Sequence, residues 1–256
     1  MSFMSRALIA LAVVLAHPGI AGAADINVWT SRAIATVLAE IGPQFERATG
    51  HRLHVYSGLP TDFERRLGAG DTVDLIISGS APIDTWIKEG KIVETTRTEI
   101  ARSGIGVAVR AGARKPDVSS VDAFKRALLD AKSIAFLRVG SGLHIAGVLE
   151  RLGIAETVTS KVTRPESDIV SELVARGEVE LGLVVMTQIL TTPGVDLAGP
   201  LPSELQSYIV FTAGVSATSK VPAAAGQLMR FLTGPIAIPV ITAQGMEPLP
   251  AGRLLR

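Results

Sequence analysis

The chain has 256 residues, 47% hydrophobic and 19% charged, with 25 Lys+Arg against 24 Asp+Glu. That length buries a real core as one large domain or two of ordinary size. The near-zero net charge and an aromatic content of 4% give no electrostatic or stacking footprint for nucleic acid, and nothing that draws the chain to an anionic membrane. The absence of cysteine removes disulfides, thiolate metal sites and cysteine nucleophiles.

The first 23 residues read as an export leader. Arg6 precedes an apolar run over residues 7–16, and Ala21-Gly22-Ala23 offers the small side chains that a signal peptidase reads. His17, Pro18 and Gly19 interrupt the run short of the ~20 residues that span a bilayer, which disfavours a membrane anchor. No later segment is long and apolar enough to span. The expected product is a periplasmic protein beginning near Ala24.

Beyond the leader, short apolar runs alternate with helical periods. Ile26-Asn27-Val28-Trp29 reads as a strand, and Ile34, Val37, Leu38, Ile41 and Phe45 recur at helical spacing before Gly50. His54-Val55-Tyr56 is a short strand. Thr61 and Glu64 have the capping-box spacing, which predicts a helix from Asp62. Residues 73–77 predict a strand buried on both faces. Ser80 is placed to cap a helix that turns Ile83, Trp86 and Ile87 inward and stops at Gly90. A strand over 104–109 is followed by a helix over 121–131 capped by Ser120, a strand over 133–137, and a helix over 143–152. Helix 168–176, strand 181–185, strand 208–215 and a helix opened by Pro222 and running to Leu232 complete the rhythm. Strands alternating with helices of 8–16 residues predict an α/β fold with mostly parallel sheets.

Familiar catalytic motifs do not occur in the right context. After the leader the histidines are His51, His54 and His144. The first two are expected on a solvated loop or strand edge, and no metal site or cofactor is expected. Instead, several strands end in Ser, Thr or Gly directly before a helix: Trp29-Thr30-Ser31-Arg32, Ser57-Gly58-Leu59-Pro60-Thr61, residues 138–142, and Val185-Met186-Thr187. Any one such turn is ordinary capping. Several of them along the carboxyl edge of a sheet suit an anion, because that edge is where open α/β sheets bind ligands.

In several stretches the text resembles the type II periplasmic solute-binding proteins, in the molybdate-binding branch of ABC-importer components. One stretch runs over 28–50 and ends Gln44-Phe45-Glu46-Arg47-Ala48-Thr49-Gly50. A second runs over 69–78, a third joins Ser141-Gly142 to Leu149-Glu150-Arg151-Leu152-Gly153, and a fourth covers 173–184. Phe231-Leu232-Thr233-Gly234-Pro235 and Gly245-Met246 close the series.

The resemblance implies two α/β lobes, each a mostly parallel sheet flanked by helices, with two crossover strands as hinge. Lobe 1 would comprise residues 24–102 plus 206–256, and lobe 2 residues 103–205. It implies a monomer that captures a small anion for an ABC permease in the inner membrane, with ligand loops at 30–33, 57–61, 138–142, near Asp168, and at 185–187. The expected ligand-binding set is Thr30, Ser31, Arg32, Gly58, Thr61, Arg138, Gly140, Ser141 and Thr187. The chain departs from the molybdate pattern: the first-loop serine falls at Ala33, and the tyrosine expected after the last buried strand falls at Val185. Arg32 and Arg138 stand on the ligand edge instead. Their planar forks suit the paired oxygens of a di- or tricarboxylate, unless both turn to solvent at the cleft rim. The branch also resembles periplasmic aconitate isomerases. On that alternative the arginines hold the substrate, and His144 or Asp168 moves the proton.

Overall fold

The computed structural model describes residues 22–249. The proposed leader therefore lies almost wholly outside the described residues. The elements in chain order are β1 (Asp25–Thr30), α1 (Arg32–Thr49), β2 (Arg52–Ser57), α2 (Pro60–Gly68), β3 (Leu75–Gly79), α3 (Ser80–Lys88) and β4 (Thr98–Arg110). Next come α4 (Val121–Asp130), β5 (Ile134–Ala135), α5 (Ser141–Arg151), α6 (Ala155–Thr159), β6 (Val162–Thr163), α7 (Val170–Ala175), β7 (Leu181–Val185) and α8 (Met186–Thr191). The chain closes with β8 (Val195–Pro200), β9 (Tyr208–Val215), α9 (Pro222–Leu232), α10 (Ala237–Ala243) and β10 (Glu247–Pro248).

The strands are ordered β2-β1-β3-β9-β4-β7-β5-β6. β1 runs parallel to β2 and β3, and β5 parallel to β6 and β7. Between these parallel sets stand β9 and β4, antiparallel to their neighbours. β4 is 13 residues long, far beyond the strand expected at 104–109. Its first half, through Gly104, pairs with β9, and its second half, from Ile105, pairs with β7 and β8. One strand thus serves both halves of the sheet.

Alternation along the strands explains why residues 75–77 lack polar positions. Leu75 and Ile77 face α1, α9 and α10 through Ile34, Val37, Ile41, Leu228 and Ile241. Ile76 and Trp29 face the other way, onto Phe63, Ile83 and Trp86. The second half repeats the arrangement: Ile105, Val107, Leu181 and Leu183 pack on Phe124, Leu128, Ile145 and Val148, while Ala108 and Val184 meet Val170, Val174 and Ile189. With helices on both faces, a strand must be apolar on both.

Several local expectations are corrected. α2 opens at Pro60, not Asp62, because the fixed φ of proline suits a first helical position. Its reach-back group is Asp62, whose carboxylate accepts from the Leu59 N–H at 3.0 Å. Ser80 is the first residue of α3, not its cap, and its hydroxyl pairs with Thr212 Oγ1 at 2.7 Å. α7 begins at Val170, which leaves Asp168 in the preceding turn. The strand expected over 133–137 shrinks to two residues. Ser120 does cap α4, accepting from the Ala123 N–H at 3.2 Å. His51 is buried rather than solvated. Its Nδ1 accepts from the Ala24 N–H at 3.1 Å, so Nε2 carries the proton and donates to Gln227 Oε1 at 3.0 Å.

Asp74 is a buried acid that ties three segments. Its carboxylate accepts from the Asn27 N–H at 2.9 Å and the Ser219 hydroxyl at 2.7 Å. Asn keeps the shape but only one acceptor oxygen. Asp74→Asn is therefore expected to lower unfolding stability by about 1–2 kcal/mol, read by urea titration.

Candidate functional site

The groups that can meet a ligand gather where β1 and β7 end. After β1 the backbone is held in place from two sides: the Ser31 N–H donates to the Ile77 carbonyl at 3.2 Å, and the Gly58 N–H donates to the Thr30 carbonyl at 3.1 Å. Both amides are thereby occupied. What remains free is the side chains. Arg32, the first residue of α1, reaches across to the turn before α7, where Nη1 donates to the Asp168 carbonyl at 2.9 Å and pairs with Glu172 Oε1. Asp168 Oδ2 accepts from Gln188 Nε2 at 2.5 Å. Arg32, Asp168, Glu172 and Gln188 form one connected network drawn from α1, the α7 turn and α8.

Around this network lie buried polar atoms without a partner: Thr30 Oγ1, Ser31 Oγ, Ser171 Oγ, Glu172 Oε2 and Thr187 Oγ1. Each belongs to a residue of the network or sits within two positions of one. Thr30 and Thr187 have no exposed surface at all. Orphaned hydroxyls are rare in folded proteins, and each leaves hydrogen-bonding capacity unused. Four such hydroxyls, on residues adjoining members of the Arg32 network, offer an anion neutral donors beside a planar charged fork.

Asp168 differs from an ordinary surface acid. Burial pushes its carboxyl up to about 6; Arg32 and the hydrogen bond from Gln188 oppose the rise, and the neighbouring Glu172 charge adds to it.

The remaining sequence-selected residues lie in other settings. Thr61 is exposed near the start of α2. Arg138 is exposed, and its Nε donates to the Arg164 carbonyl at 3.2 Å. Gly140 adopts φ 58° and ψ −125°, a conformation that favours glycine. Ser141 is buried at the start of α5. The next residue, Gly142, is pressed so closely on the segment after β5 that a Cβ there would stand 1.7 Å from the Leu137 carbonyl oxygen. His144 Nε2 donates to the Leu205 carbonyl at 2.7 Å, a bond that ties α5 to the loop before β9. The structure thus brings Thr30, Ser31, Arg32, Asp168 and Thr187 to one network. Sequence reasoning overlooked Ser171, Glu172 and Gln188.

Over residues 26–247 the chain matches the family described as bacterial extracellular solute-binding protein. Aconitate isomerase of a Pseudomonas species is 29% identical over 232 residues, covering 88% of each chain. The molybdate-binding protein ModA of Azotobacter vinelandii is 28% identical over 253 residues, covering 96% of this chain and 98% of that one. The solved periplasmic molybdate-binding protein of Azotobacter vinelandii superimposes with a TM-score of 0.74 at 22% identity, covering 88% of this chain and 99% of the other. The sulfate-binding protein SubI of Mycobacterium tuberculosis superimposes with a TM-score of 0.72 at 18% identity, covering 88% of this chain and 87% of that one. The chain belongs to the bacterial extracellular solute-binding proteins, and its fold is the two-lobe, type II periplasmic-binding-protein fold.

Proposed function

We propose that this protein binds a small di- or tricarboxylate between its lobes, through the Arg32 guanidinium and the hydroxyls of Thr30, Ser31, Ser171 and Thr187. The observation that carries this reading is an arginine fork set among buried hydroxyls without partners. An all-neutral donor set suits a tetrahedral oxyanion, whereas a planar fork matches the paired oxygens of a carboxylate. In this reading residues 24–102 plus 206–256 move as one lobe and 103–205 as the other, with β4 and β9 as the hinge. The protein is exported by its leader, works in the periplasm as a monomer, and delivers its ligand to an ABC permease. Arg138, on the lobe 2 rim, takes a second carboxylate when the lobes close.

A second reading is favoured by Asp168, and by the likeness to aconitate isomerase. A carboxyl pushed up to about 6 is poised to exchange protons near neutral pH. It would take a proton from the substrate methylene, the double bond would shift toward the carbanion carbon, and the acid formed would return the proton at the far carbon. Thermal-shift assays with cis- and trans-aconitate, citrate, molybdate and sulfate test binding. A ligand at 100 Kd adds about 2.7 kcal/mol of stability. Chromatography of either aconitate after incubation with the protein then separates the two readings: interconversion establishes the enzyme, and recovery of the unchanged isomer establishes the carrier.

Thr187→Val provides an internal check. A buried hydroxyl without a partner destabilises the free protein, so the valine variant is expected to be more stable by about 1 kcal/mol and to bind the anion about fivefold to tenfold less tightly. Parallel melts and titrations read both effects.

A further inference from the structure

Arg32 is the one cation in the network, and it already faces two acids. Its Nη1 holds Glu172 Oε1 and the main-chain carbonyl of Asp168, while the Asp168 side chain is gripped by Gln188 from α8. The charged groups that face Asp168 are Arg32 from α1 and Glu172 from α7; α8 contributes only the neutral Gln188. With all three charged groups ionised, this network is net negative before any ligand arrives. That arrangement opposes an anion, although the surrounding orphan hydroxyls are suited to one. Both features belong to the same few residues, so they must be reconciled there.

Resting on the binding reading above, we propose that this cleft takes up its anion together with a proton, which is held on the Asp168–Glu172 carboxylate pair. The geometry provides a place for it. Glu172 Oε2 is buried without a partner, as an oxygen awaiting a hydrogen would be. A protonated carboxyl there becomes a donor to a ligand oxygen and releases Arg32 from a competing carboxylate; on Asp168, whose main-chain carbonyl and not its carboxylate holds Arg32, it becomes a donor only. The Asp168 carboxyl feels both the Arg32 and the Glu172 charge, so the proton is assigned to the two acids together. The high pKa of Asp168 in the free protein agrees with this, since a nearby anion raises it further. The ligand class follows: an anion that binds more tightly as the pH falls, even when its own groups stay ionised.

The test is calorimetric titration of the full protein with trans-aconitate and with molybdate, in two buffers of different ionisation enthalpy. The titrations are run near neutral pH and about one pH unit higher. The expected result is a heat that differs between buffers by the equivalent of roughly half to one proton taken up per ligand, with affinity falling up to about tenfold over that pH unit. Asp168→Asn is expected to remove most of the uptake and flatten the pH dependence. Glu172→Gln is expected to reduce both and serves as the second variant should the first fold poorly. Binding with equal heats in both buffers and no pH dependence would overturn the proton linkage while leaving the binding reading intact. Uptake unchanged in both variants would overturn its assignment to this pair. No heat from either anion at either pH would overturn the linkage and the binding reading together.

Discussion

Arg32→Ala is expected to weaken carboxylate binding roughly ten- to one-hundred-fold, the equivalent of the 1.5–3 kcal/mol that a hydrogen bond to a charged group contributes. The loss has two sources. The variant lacks the fork that faces the ligand, and it leaves Glu172 and the Asp168 carbonyl without their cationic partner. The second effect makes the cleft still more negative, so binding weakens beyond the loss of one contact. Arg32→Lys separates the two, because lysine restores the charge but not the planar, bidentate geometry. It is expected to recover part of the affinity. Calorimetric titration of the three proteins with trans-aconitate reads the series. Equal affinity in all three would remove Arg32 from the site.

Asp168→Asn is expected to stabilise the free protein at alkaline pH and to make no difference in acid. The sign follows from the direction of the shift. A carboxyl whose folded pKa stands near 6, above the 3.8 of an unperturbed aspartate, binds its proton more tightly when folded. The native state is therefore penalised progressively as pH rises from about 4 through about 6, and fully above that. The full shift corresponds to about 3 kcal/mol. Because the residue keeps some exposure, about 2 kcal/mol is the expected gain at pH near 8. For a chain of this size that is a rise of roughly 5 °C in Tm. Melts of wild type and variant at about pH 4 and about pH 8 check it. An equal difference at both values would show that folding leaves the affinity of Asp168 for its proton unchanged.

The fold was largely legible because its helices are long and its strands are buried on both faces. Ile34, Val37, Leu38, Ile41 and Phe45 could only line one helical stripe, and residues 73–77 and 181–185 could only be central strands. What stayed hidden is short or non-local. The two-residue β5 and β6, the five-residue α6 and the six-residue α8 carry too few positions for periodicity to show. The reversal at β9 and the double service of β4 are set by long-range pairing, which no local pattern encodes. The site divides in the same way. Thr30, Ser31, Arg32 and Thr187 were legible as polar turns at strand ends, and Asp168 as a nearby acid. Gln188 and Glu172 were not, since a side chain reaching from α8 or α7 acquires meaning only once Arg32 lies opposite it. His51 was misread because its neighbours looked polar, while the partner that buries it, Gln227, is 176 positions away.

A ligand carboxylate meeting Arg32 among the buried hydroxyls is tested most directly by a crystal structure of the protein grown with trans-aconitate. The predicted result is one carboxylate on the Arg32 guanidinium, with Thr30, Ser31 or Thr187 hydroxyls at roughly 2.6–3.2 Å from its oxygens. Glu172 would then be displaced from the arginine or donating to the ligand. Ligand density elsewhere, for instance in the surface groove lined by Arg110, Arg114, Arg126 and Lys132, with the Arg32–Glu172 pair undisturbed, would contradict it.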